Sequence, residues 1–167
     1  MGAGGSRTHP ARRSALCDDF AHGLEVGSDG NVYVSGNSGQ SWGTGNGIGL
    51  SDVFIAKLSS NGSLLNNAFI GGASDDYCYH LALANNNIYL SGETASRWDA
   101  SETPDPVGNA FIAKLDNNFN LLWHQILGGS GNDKVRDMVI DQDENIFATG
   151  SSTSSWGAPL NPFAGTG

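Results

Sequence analysis

Asp52-Val53-Phe54-Ile55-Ala56-Lys57-Leu58 returns 57 residues later as Asn109-Ala110-Phe111-Ile112-Ala113-Lys114-Leu115, and this near-copy decides the fold. Other landmarks keep the same interval. Asp19, Asp76 and Asp133 stand 57 residues apart, and Gly36, Gly92 and Gly150 recur at nearly that spacing, each followed six residues later by Trp42, Trp98 or Trp156. A Gly-Gly pair comes fourteen residues after each lysine of the copied segment: Gly71-Gly72 after Lys57, Gly128-Gly129 after Lys114. So many landmarks in register mark a tandem repeat, the signature of stacked copies of one supersecondary unit.

Each unit holds four short runs with strand character, separated by turn residues. In the second unit they are Cys78–Leu83, Ile88–Ser91, Ala110–Leu115 and Leu121–Leu127. Asn85-Asn86-Asn87 separates the first two, where the first unit has Ser28-Asp29-Gly30-Asn31. These residue types tolerate positive φ, so both segments read as hairpin turns. No stretch shows a sustained 3.6-residue apolar period, so no helix is expected. The third run is apolar at odd and even positions alike, as in a strand covered on both faces. The fourth is more polar, with Asn66-Asn67 and His124-Gln125, as in an outer edge strand. Small sheets sandwiched between like sheets, with a wetter outer edge, are propeller blades. The expected fold is all-β: a partial β-propeller of four-stranded antiparallel blades, two complete and the start of a third. The units are expected at 18–74, 75–131 and 132–167, behind a basic, disordered arm at 1–17, and both ends of the chain cut a blade, as in a fragment of a larger ring.

Composition agrees with this and narrows the partners. Glycine supplies 24 of 167 residues, charged residues only 15%, and the net charge is −9. Arg7, Arg12 and Arg13 lie in the arm, while all seventeen acids lie from Asp18 onward with only five bases. Such a body repels a phosphate backbone, so nucleic acid is not an expected partner. No apolar run approaches a membrane-spanning length, so no membrane insertion is expected. Cys17 and Cys78 lack metal-ligand spacing, and the sequence does not decide whether they pair.

The pattern carried by Gly71-Gly72 to Asp76, Gly30–Gly36, Asp52–Leu58 and Leu121-Leu122-Trp123 resembles the SBBP (seven-bladed β-propeller) repeat family. The resemblance spans about residues 18–167. It implies a propeller fold and a setting in secreted or cell-surface bacterial proteins, and it implies no reaction.

Candidate chemistry reads mainly as structure. Paired acids Asp18-Asp19 and Asp75-Asp76 suggest a catalytic acid and base, but an acid recurs at this place in every unit, whereas an active site needs one constellation. Capping of the inter-blade loop is the expected role. Gly128–Val135 fits the calcium nonapeptide G-G-x-G-x-D-x-U-x without the stacked copies that motif needs. Asp141–Asn145 alternates oxygen donors but lacks a bidentate acid at its far end. Gly43–Gly49 is glycine-rich without a following helix or the usual lysine, so it is not a phosphate cradle. Neither metal nor cofactor is expected. The in-register tryptophans are expected to pack between blades.

Positions in the first run vary between units while the landmarks hold: His22, Tyr79 and Arg136, and beside them Gly23, His80 and Asp137. The first strand of a propeller blade lines the central channel, so His22, Tyr79, His80, Arg136 and Asp137 are the candidate ligand-facing residues, with neutral variation the plainer reading. The expected function is a non-enzymatic scaffold or a module binding a protein or glycan, able to self-associate through exposed blade faces. The alternative is part of a propeller hydrolase, lyase or quinone-dependent dehydrogenase completed by further blades. Asn37-Ser38-Gly39-Gln40-Ser41 before Trp42 departs from the sialidase S-x-D-x-G-x-x-W box, which counts against the hydrolase.

Overall fold

The computed structural model describes residues 18–47, 49–98 and 108–155. The arm at 1–17 with Cys17, the loop residues 99–107 and Trp156 lie outside the described residues. Within them the chain is all-β, with ten strands: β1 Asp19–Val26, β2 Val32–Ser38, β3 Asp52–Leu58, β4 Leu64–Ile70, β5 Asp76–Ala84, β6 Asn87–Thr94, β7 Asn109–Leu115, β8 Leu121–Leu127, β9 Asp133–Ile140 and β10 Ile146–Ser152. They form two four-stranded antiparallel sheets, ordered β1-β2-β3-β4 and β5-β6-β7-β8, and a two-stranded sheet, β9-β10. These are successive propeller blades, and they do not close into a ring.

The turns follow from their residues. Asn85 and Asn86 both have positive φ (48° and 62°), the geometry of a two-residue hairpin that matches strand twist. The first hairpin is longer. It is closed by Asp29, whose carboxylate accepts from Asn31 N at 3.0 Å and Asn31 Nδ2 at 2.8 Å, with Gly30 at φ 74°.

Alternation along the middle strands sends side chains into two separate cores. Ile88 and Leu90 on β6, with Phe111, Ala113 and Leu115 on β7, pack against Val53, Ile55 and Ile70 of the first sheet. The intervening Tyr89, Ala110 and Ile112 pack instead against Val135 and Met138 of the third. Period-two geometry thus turns the doubly apolar run of β7 into a sheet buried on both sides. The innermost strands β1 and β5 pack closely at Gly23, where an added Cβ would lie 2.6 Å from Leu81 Cβ. Beside this contact Cys78 is a free, buried thiol, 3.4 Å from Ser35 Oγ, and burial pushes its pKa up to about 11.

The tryptophan loops add contacts within each blade. Trp42 meets Phe54 and Phe69 (5.1 and 5.6 Å), and Trp98 meets Phe111 and His124 (4.7 and 5.3 Å), in their own sheets. Trp98 also packs against the core shared by the first two blades, as expected. Each ring caps the third and fourth strands at the margin of the blade interface, because the loop after the second strand folds back over its own sheet. As expected, β4 and β8 are the edge strands and are the wetter ones, but one polar residue of β4 has another cause. Asn67 is buried, its Nδ2 donating to Trp42 O at 2.7 Å and its Oδ1 accepting from Thr44 N at 2.8 Å. The side chain anchors the tryptophan loop, and buried amides persist where every polar atom finds such a partner.

The recurrent aspartates do close the inter-blade loops. Asp76 Oδ2 accepts from Gly72 N at 2.8 Å, and its Oδ1 accepts from the Thr94 hydroxyl and, at 3.1 Å, from Trp98 Nε1. Asp133 Oδ2 likewise accepts from Gly129 N at 2.9 Å. The calcium-like glycine motif here is therefore a carboxylate-capped turn. Asp141 spends both oxygens inside its own hairpin, on Asp143 N, Asn145 N and Asn145 Nδ2.

Candidate functional site

Each innermost strand carries a β-bulge at the same repeat position. Pairing of β1 with β2 skips from Ala21 to Gly23, of β5 with β6 from Cys78 to His80, and of β9 with β10 between Val135 and Asp137. The residues left without a cross-strand partner are His22, Tyr79 and Arg136. A bulge frees one residue from the ladder and re-aims its side chain. The recurrent glycines belong to this device. A Cβ on Gly36, Gly92 or Gly150 would fall 1.8 Å from the carbonyl oxygen of Phe20, Tyr77 or Lys134, two residues before each bulge. The glycine landmarks of the second strand therefore report the bulge of the first.

The three bulge residues meet in a row across the blades. The His22 ring lies edge-on to Tyr79, with centroids 5.9 Å apart, and the Arg136 guanidinium sits 4.4 Å from the Tyr79 centroid. Arg136 and His22 are exposed and Tyr79 is half-buried. In the adjacent column, His80 Nδ1 lies 2.9 Å from Asp137 Oδ1. The five sequence-selected residues thus fall into a row of three and an adjoining pair, while Gly23 is buried against Leu81 of β5.

Two residues that sequence reasoning passed over complete the row. The Tyr79 hydroxyl donates to Glu93 Oε1 at 2.5 Å, and Lys134 Nζ pairs with Glu93 Oε2 at 2.6 Å, joining the second blade to the third. Burial, and then the Glu93 acceptor, hold the Tyr79 hydroxyl well above the usual phenol range, so it stays a proton donor. Glu93 and Lys134 adjoin the landmarks Gly92 and Asp133, but nothing in their spacing tells that the bulge brings them together. Among the described residues no three histidines, cysteines or carboxylates gather as metal ligands would. The row offers cation, aromatic and hydroxyl contacts to a ligand.

None of the curated proteins compared with the chain matches it. Residues 122–155 match a family model, that of SBBP, the β-propeller repeat. The matched segment runs from β8 through the Asp133 cap and the bulge at Arg136 to just beyond β10. The blades, their in-register bulges and this match identify the chain as one carrying an SBBP β-propeller repeat.

Proposed function

We propose that the chain is a non-enzymatic propeller scaffold whose inner-strand row binds a protein or glycan partner, in a secreted or cell-surface protein. The observation that carries this reading is the coincidence of bulge and variation. His22, Tyr79 and Arg136 are the residues the fold releases from pairing, and they are among the first-strand positions that differ between the repeats. A scaffold kept constant and side chains varied at one re-aimed position is how a repeat protein shapes a ligand surface. The secreted or surface setting rests on the resemblance to the repeat family. The full chain is expected to bind on an array of neutral and acidic oligosaccharides or proteins. Replacing Tyr79 and Arg136 by alanine should weaken that binding about tenfold or more, as for aromatic and arginine anchors. Turnover of chromogenic glycosides or a quinone-linked dye, abolished by changing one residue of the row, would overturn the reading.

Self-association belongs to the same proposal. Leu24, 67% exposed on the first sheet, holds the repeat position of Leu81, which the first sheet buries. Phe147, 61% exposed on the third sheet, holds the position of Tyr89, which the third sheet buries. The open faces are therefore the two halves of an interface that recurs inside the chain. Complementary faces at opposite ends give head-to-tail contacts. Sedimentation mass should rise with concentration for the parent chain and stay monomeric for Leu24→Arg. A parent that remains monomeric throughout contradicts this part of the proposal.

A further inference from the structure

A second surface lies away from the inner-strand row, at the hairpin tips. Five residues lie between the paired Val26 and Val32, and between Ile140 and Ile146, but four between the matching Leu83 and Ile88. The middle hairpin is thus one residue shorter than its neighbours at this rim. On one side the gap is filled. Glu144, from the long third hairpin, reaches across to Lys114 Nζ at 2.7 Å and Asn85 Nδ2 at 3.3 Å. On the other side no such ion pair crosses among the described residues, and a cavity of about 320 Å³ remains between the first and second blades. That volume is at the lower end for small-molecule sites.

The floor of this notch is prearranged. The Tyr33 hydroxyl donates to Asn117 Oδ1 at 2.9 Å, and Asn117 Nδ2 donates to Asn86 Oδ1 at 2.9 Å, so one hydrogen-bonded chain spans both blades. Fixing Asn86 Oδ1 as an acceptor leaves its amide N–H groups for a ligand. The Ser28 hydroxyl and the Glu25 carboxylate also line the notch, without a partner among the described residues, and Val26 and Leu83 supply an apolar wall. Asp29 is already spent on Lys57 and Asn31. Carboxamides and hydroxyls present donors and acceptors together, which a sugar hydroxyl matches because it does both. No lining residue is cationic, and Glu25 and Asp29 repel an anion. One unspent carboxylate is poor provision for a calcium ion, which takes six to eight oxygens.

We propose that this notch is a binding site for a neutral saccharide unit, held by Asn86, Ser28 and Glu25 against the wall at Val26 and Leu83. It is independent of the inner-strand row. The test is saturation-transfer NMR on the full chain with methyl mannoside, methyl glucoside, N-acetylglucosamine and glucuronate as probes. At least one neutral sugar is expected to receive transfer and glucuronate to receive none. Asn86→Gly keeps the left-handed backbone while removing the carboxamide, and Ser28→Trp fills the notch from an exposed turn. Each should abolish the transfer while leaving the amide spectrum of the strands unchanged. No transfer to any neutral sugar overturns the proposal, as does transfer to glucuronate of equal strength, or transfer that survives in both variants. Tyr79→Ala separates the two surfaces, because it should leave transfer at the notch intact.

Discussion

Replacing Gly92 by alanine is expected to destabilise the chain by about 3 kcal/mol, lowering its melting temperature by roughly 10 °C. The new Cβ would stand 1.8 Å from the Tyr77 carbonyl oxygen and 2.9 Å from Phe111 Cε1. Neither neighbour can yield cheaply. The carbonyl is fixed by the bulge at Tyr79, and the Phe111 ring is fully buried in the core between the first two blades. Gly30→Ala is the control. Gly30 has φ 74° with nothing within 4 Å of an added Cβ, so alanine there meets only the left-handed backbone penalty, about 1 kcal/mol. Thermal unfolding of the two variants separates the readings. Equal losses would mean that the recurrent glycine is merely a flexible residue and that the bulge does not depend on it.

Asp76→Ala should cost about 2 kcal/mol. It strands Gly72 N in a dry site and removes the stronger acceptor of the Thr94 hydroxyl and Trp98 Nε1, which keep only Ser96 O and the Thr94 oxygen. Asp19 holds the same repeat position but is exposed, and its carboxylate accepts from Ser38, which also donates to Gln40 O. Asp19→Ala is expected to cost under about 1 kcal/mol. Denaturant unfolding measures both, and equal losses would contradict the burial argument. Burial also holds the Asp76 carboxyl above the usual carboxylate range, against the hydrogen bonds that favour its ionised form. A raised native pKa means that the folded chain binds the proton more tightly than the unfolded one. Its contribution is complete below the ordinary value of 3.8 and declines as pH rises through the raised one. The advantage of the parent over Asp76→Asn should therefore narrow as pH rises above the ordinary value of 3.8.

Much of this structure can be read along the chain. The repeat of Asp52–Leu58 at 109–115 names the third strand of each blade, and its doubly apolar pattern gives burial on both faces. Asn85-Asn86 and Asp29-Gly30 mark their hairpins by their own backbone preferences. What cannot be read is whatever depends on register. His22, Tyr79 and Arg136 stand out in the sequence as variable, but that they are bulge residues follows only from which cross-strand partner is skipped. Asn67 lies on the edge strand that its polarity suggests, but sequence does not show the loop that folds back and buries it. The tryptophans repeat in step whether they pack between sheets or within one, so spacing does not decide their contacts. Glu93 and Lys134 meet because two blades stack, 41 residues apart in the chain. The notch beside Asn86 arises from a difference in hairpin length between neighbouring blades, legible as length but not as a cavity until the blades are placed side by side.

Isotope-edited NMR of the full chain tests the stacking of blades most directly, through nuclear Overhauser contacts between the first and second units. Stacking places the Leu81 side chain against Gly23 and the Cys78 thiol beside Ser35, with no backbone hydrogen bonds between β4 and β5. Contacts at those two pairs are the expected result. Backbone contacts running strand to strand from 64–70 into 76–84 would show one continuous sheet and contradict the account.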